Sequence, residues 1–233
     1  MRFYLMRYDQ LSLVFDLLPK ALLETIYMVG ASSLIAALLG LPIGITLYLT
    51  AKGQLKNNSA IYKSLGLVVN IGRSFPFAIL IIALIPFTRF IVGTSLGTTA
   101  AIVPLSIAAA PFFARIVEQS LQEIDIHVLE AAQMMGATTS QLIKEVLLKE
   151  PLTSLLSGFT SMVINLIGYS AMAGVVGGGG LGKVAIQYGY NQFNIFLMVS
   201  TVIVLILLVE VVQRICNFQI KKIQKRRGLI SND

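Results

Sequence analysis

Four stretches of the chain carry no Asp, Glu, Lys or Arg: Thr25 to Ala51, Phe90 to Ala114, Pro151 to Gly182 and Val184 to Val209, of 27, 25, 32 and 26 residues. About 20 helical residues cross a bilayer, so each is long enough to span one. A fifth stretch, Ser64 to Thr88, is interrupted only by Arg73. Its uncharged part, from Ser74 onward, would rise only about 22 Å as a helix, so the whole segment is expected as the span. Arg73 then belongs near an interface or against protein, because a lipid-facing arginine at mid-depth costs several kcal/mol. The pattern predicts an all-α integral membrane protein of five transmembrane helices, at about 25–50, 64–87, 93–115, 153–176 and 193–213.

Composition agrees: 233 residues, 56% hydrophobic, 12% charged, mean hydropathy +0.81. Five spans put the termini on opposite sides. With the carboxyl terminus inside, the inner loops hold 13 of the Lys and Arg residues and the outer ones 5, the expected positive-inside bias. The net charge of +7 is then accounted for by topology and anionic lipid, with no call on nucleic acid. Residues 1–19 are expected as an outer or interfacial segment, with "LSLVFDLLPK" a short amphipathic helix, 20–214 as the membrane domain and 215–233 as a basic cytoplasmic tail. Acidic residues before the first long apolar run argue against a cleavable signal.

Little here is catalytic. One cysteine, Cys216, and one histidine, His127, assemble no disulfide and no Cys/His metal site. The run "VVGGGGLGK" fits both GxxxxGK and GxGxxG, yet Val184 stands where a phosphate loop needs Ser or Thr for magnesium. The run also follows an apolar span, on the outer side by the charge count. Gly177, Gly178, Gly179, Gly180 and Gly182 are therefore expected as an outer loop, either a plain turn or one that lets backbones approach closely at the mouth of a pathway.

Between the third and fourth spans lies an amphipathic, charged cytoplasmic segment, 116–150, too long for a simple connector. One helix is expected to run to Met135 and break at Gly136. A second begins where Thr138 and Gln141 can form a capping box. Ala131 and Ala132 offer a small-residue face and Glu130 a carboxylate for an outside donor. A solvated loop and a docking element both fit this composition.

"EAAQMMGA", Glu130 to Ala137, resembles the EAA motif of the permeases of ABC importers, in which Glu-Ala-Ala is followed after three residues by Gly. The same family places Ile-x-Leu-Pro nine residues on. Here that spacing gives Val146, Leu147, Leu148 and Lys149, with the proline displaced to Pro151. The strings from Arg73 to Leu105 and from Gly177 to Phe193 are similar to the methionine-importer branch, and the resemblance covers Lys20 to about Arg214. It implies a type I ABC importer permease fold and a homodimer in the cytoplasmic membrane. It also implies two cytoplasmic ATPase subunits that bind ATP and magnesium, this chain binding no cofactor. A substrate-binding lipoprotein would deliver L-methionine, with D-methionine as a second substrate. Glu130, Ala131, Ala132 and Gly136 would couple the ATPases to transport.

For the pathway, the fourth span carries Ser157, Ser161, Asn165, Tyr169 and Ser170; the first three fall at i, i+4 and i+8, one helical face. Ser161, Asn165, Tyr169 and Ser170 are the candidate lining residues. Interhelical packing fits the small and hydroxylated residues equally, Ser157 and Gly158 above all, and Met162 and Met172 read as apolar filler. A secondary transporter would need inverted repeats and intramembrane acids, which five unequal spans do not offer. A permease for another small amino acid or derivative, and a non-transporting membrane assembly or export subunit that uses the glycine-rich turn for partner contact, are the remaining alternatives.

Overall fold

The computed structural model describes residues 2–227, with side chains from Leu13 onward. The regular elements in that range are all helices. The long elements are α1 (Arg2–Thr50), α2 (Ser59–Ser74), α5 (Thr98–Gln122), α8 (Leu152–Val175) and α10 (Ile195–Arg226). Between them lie short helices: α3 (Phe77–Ala83), α4 (Ile85–Val92), α6 (Ile126–Met134), α7 (Thr139–Gln141) and α9 (Gly180–Val184). Two π-helical turns, Leu142–Leu147 and Ala185–Tyr190, follow α7 and α9 directly.

Among the described residues, four helices are long and apolar enough to cross a membrane: Leu13–Thr50, α5, α8 and α10. The single span expected at 64–87 is instead divided among α2, α3 and α4, and the tally reaches five only if α2 and α3 are taken together as one bent crossing. Proline causes both breaks. A residue before proline is pushed out of the helical region, so α2 stops at Ser74 and Pro76 sits extended (φ −60°, ψ 126°) as the N-cap of α3. Pro86 lies in the first turn of α4, where its missing N–H costs nothing. The opposite difference appears at the amino end. "LSLVFDLLPK" is no separate helix, since α1 runs through it and through Pro19 without a break.

The chain falls into two compact units, each with its own core. The first draws on Met1–Ile35, Ser74–Ala109 and Val163–Gln213, the second on Ala36–Arg73, Ala110–Met162 and Arg214–Asp233. In the first, Leu18 and Ala21 of α1 pack with Leu181, Val184 and Leu197. In the second, Leu47, Val69 and Ala114 form the buried centre. There the small residues Gly40 and Gly44, four apart on α1, meet Ala110 and Ala114, four apart on α5. A Cβ on Gly44 would lie 2.5 Å from the Ala114 carbonyl oxygen. Lipid gives helices no hydrophobic reason to associate, so this close backbone approach and the dispersion it brings are what hold such a pair.

Candidate functional site

The loop between α5 and α8 is built by local chemistry. α5 ends at Gln122, earlier than the helix to Met135 expected from sequence, because Asp125 caps a new helix: its carboxylate accepts from the His127 N–H at 2.9 Å. α6 then runs to Met134, and Gly136 turns the chain at φ 82°, a left-handed conformation that glycine adopts without a Cβ penalty. Thr138 and Gln141 close a reciprocal capping box, the Thr138 N–H donating to Gln141 Oε1 at 2.8 Å. The π turn follows, burying Leu142 and Leu147.

The two alanines do not form one face. Neighbours on a helix point about 100° apart, and Ala132 is buried beside Leu129 while Ala131 is exposed. The exposed residues are Ile126, His127, Val128, Glu130, Ala131, Gln133, Met134 and Met135, with Gly136 at the end. Met134 is 91% exposed and Met135 81%. The sequence pattern by itself assigns these methionines no role. Their signal was an apolar pair immediately before a helix-ending glycine. Glu130 Oε2 lies 3.4 Å from His127 Nδ1, and its carboxylate is otherwise open to an outside donor.

Both ends of this loop are tied together. Ser154 at the start of α8 donates to Glu123 Oε1 at 3.0 Å and shares a hydrogen bond with Ser120 of α5, also at 3.0 Å. One turn further, Gly158 lets Ile116 approach until a Cβ would sit 2.1 Å from its Cγ2. Phe113 and Phe159 meet edge to face at 5.9 Å. Arg227 donates to the carbonyls of Lys149 and Glu150, the latter at 2.8 Å, so α10 meets the loop where it returns to α8.

The candidate pathway residues are distributed. Ser161 is exposed, although its hydroxyl donates to the Ser157 carbonyl at 3.1 Å. In the other unit, Asn165 is exposed and Tyr169 stacks flat on Phe77, ring centroids 4.6 Å apart. Ser170 does not join them: it is 1% exposed and its hydroxyl is consumed by the Ile167 carbonyl at 2.7 Å.

The glycine run folds inward. Gly178 to Gly182 are buried, with positive φ at Gly177, Gly179 and Gly180. The Gly180 N–H donates to Glu24 Oε2 at 2.8 Å and the Leu181 N–H to Thr25 Oγ1 at 2.9 Å, so α1 supplies the partners that the start of α9 would otherwise lack. A Cβ on Gly182 would stand 2.2 Å from the Ala171 carbonyl oxygen. The element before the run is α8, not a strand, and its glycines are spent on close helix contact.

Comparison with known proteins gives this geometry a lineage. Residues 38–223 match the model of the binding-protein-dependent transport system inner membrane component family. The "probable D-methionine transport system permease protein" of Vibrio cholerae is 48% identical over 211 residues, 91% of this chain and 94% of that one. The D-methionine transport system permease protein of Escherichia coli K12 is 48% identical over 158 residues, 68% of this chain and 73% of its own length. Among solved structures, an inward-facing methionine ABC transporter matches with a TM-score of 0.89 and 44% identity, over 90% of this chain and 97% of that chain. The all-helical type I importer permease fold is thus present. The chain belongs to the binding-protein-dependent transport system inner membrane component family.

Proposed function

We propose that this chain is the membrane-spanning permease subunit of an ATP-driven importer that carries methionine, L- and D-, across the cytoplasmic membrane. The observation that carries the reading is the near-complete alignment, at 48% identity, with a permease named for D-methionine transport. In this reading two copies of the chain form the pathway, with five spans each counting α2 and α3 as one bent crossing, the amino end outside and the carboxyl end in the cytoplasm. Two ATPase subunits, which bind ATP and magnesium, sit below, and a substrate-binding lipoprotein delivers methionine from outside. This chain holds no cofactor of its own.

The loop geometry supports a coupling role. A docking element must be rigid and must meet its partner differently in the two states of the transporter. α6 is capped at both ends, its roots on α5 and α8 are hydrogen-bonded together, and it presents two methionines and a carboxylate outward. Glu130, Ala131 and Gly136, with Met134 and Met135, are the residues assigned to the ATPase contact, while Ala132 seats the helix. Ser161, Asn165 and Tyr169 are assigned to the pathway, and the run Gly177–Gly182 to the outer closure.

Uptake of radiolabelled L-methionine into proteoliposomes containing this chain, its ATPase and its binding protein tests the whole reading. ATP-dependent accumulation, competed by unlabelled D-methionine but not by a charged amino acid, is the expected result. Accumulation without ATP, or none of methionine, refutes it.

A further inference from the structure

Among the described residues, one charged side chain is buried without any role so far. Glu118 lies on α5, just above the coupling loop, and is 1% exposed. Both its oxygens are engaged: Oε1 accepts from the Tyr62 hydroxyl at 3.1 Å, and Oε2 from Arg115 Nη1 at 2.6 Å. The other arm of the Arg115 guanidinium donates to Asn70 Oδ1 at 2.6 Å. Tyr62 and Asn70 are eight residues apart on α2, hence two turns along one face. Arg115 and Glu118 are three apart on α5 and face the same way. α5 therefore grips α2 at two points. Above them the helices touch directly, where a Cβ on Gly72 would lie 2.7 Å from Pro111 Cγ.

Stability does not explain this arrangement. A buried ion pair is often no better than well-packed apolar side chains of the same volume, since desolvation offsets its attraction. Directional hydrogen bonds do something apolar contact cannot: they fix register, so that one helix cannot slide along the other without breaking them. α5 carries the root of the coupling loop, and α2 leads directly into the proline break at Pro76.

We infer that Glu118, held by Arg115 and Tyr62, is a positioning residue that passes the displacement of the coupling loop from α5 to α2, so that the bent span moves with the ATPases. The inference rests on the importer reading and adds to it a transmission joint within the protomer. Glu118 touches neither substrate nor ATPase and acts only through the register it imposes.

The test uses the complete transporter in proteoliposomes and reads methionine taken up per ATP hydrolysed, beside membrane abundance and unfolding temperature. The double variant Arg115→Met/Glu118→Leu replaces the ion pair with apolar volume. It is expected to keep abundance and unfolding temperature while uptake per ATP falls about fivefold or more, the scale of a coupling free energy. Tyr62→Phe removes a single hydrogen bond and is expected to lower the ratio about twofold with abundance unchanged. A structural role alone would lower abundance and leave the ratio of the surviving protein intact. A native ratio in the double variant, or in Tyr62→Phe should the double variant fail to accumulate, overturns the inference. Failure of the unaltered transporter to couple ATP hydrolysis to uptake would instead remove the importer reading itself.

Discussion

Two segments interrupt the apolar helices with the same ingredients and opposite results. The loop between α5 and α8 and the glycine run each contain a short helix, a glycine at positive φ and a π turn. In the α5–α8 loop, nothing lies within 4 Å of where a Cβ on Gly136 would be, and the neighbouring methionines are exposed. In the glycine run, Gly178, Gly179, Gly180 and Gly182 all have atoms where a Cβ would go. One glycine supplies a backbone angle, and the others supply room. A surface meant for a partner must leave its side chains uncommitted, whereas a turn that closes against its own helices commits even its backbone N–H groups.

Substitution at Gly182 should therefore be the most damaging change. Gly182→Val places its Cβ 2.6 Å from the Ala171 Cα and nearer still to the carbonyl, and backbone cannot step aside as a flexible side chain can. The expected cost exceeds about 3 kcal/mol, the range of severe overpacking, and should appear as loss of inserted protein and a lowered unfolding temperature in detergent. Native abundance of this variant would show that the inward packing of the run is wrong.

The coupling loop should respond in the other currency, partner binding, with folding spared. Met134→Asp/Met135→Asp removes two exposed apolar contacts and adds two charges, and is expected to weaken retention of the ATPase during purification by on the order of a hundredfold, as loss of an interface anchor does. Glu130→Lys should act in the same direction and more weakly, since only one rim charge is reversed. Both proteins should insert at native levels. Gly136→Ala follows, because only the left-handed backbone strain, about 1–2 kcal/mol, is at issue where space is open. Its expected signature is a severalfold loss of ATPase affinity, checked by titrating the ATPase onto reconstituted permease. A variant of this group that binds its ATPase normally but fails to insert would reverse the comparison.

What the sequence made legible was local. Charge-free runs marked the long helices, because excluding charge from lipid is a rule applied residue by residue. Gly136 and the Thr138–Gln141 box were readable because a turn and a cap are set within four residues. The break before α3 was also written locally, in Ser74-Phe75-Pro76, but an apolar count passes over proline. Pairing Ala131 with Ala132 ignored the helical period. Glu118 and Tyr62 are 56 residues apart and Gly180 and Glu24 are 156 apart, so no window on the sequence could join them. The burial of the glycine run, and with it the meaning of Glu24, became visible only with the fold.

That distant contact yields the smallest and most discriminating prediction. Glu24 accepts the Gly180 N–H, and a Cβ on Gly179 would sit 3.1 Å from the same oxygen, so the carboxylate both bonds and fills. Glu24→Gln keeps the acceptor and the volume and loses only the charge assistance, about 0.5–1 kcal/mol. Glu24→Ala also leaves the N–H unpaired, at about 1–3 kcal/mol. If α1 holds the glycine run shut, the two variants should rank in that order when the segment is probed by thiol labelling of a Val184→Cys reporter at the buried end of α9, which adds no new Cβ to the run. The Gln form should label close to the background rate and the Ala form severalfold faster. Equal labelling of both would mean that the carboxylate is incidental and that packing around Leu181 alone keeps the run buried. In that case the contrast with the α5–α8 loop reduces to apolar burial.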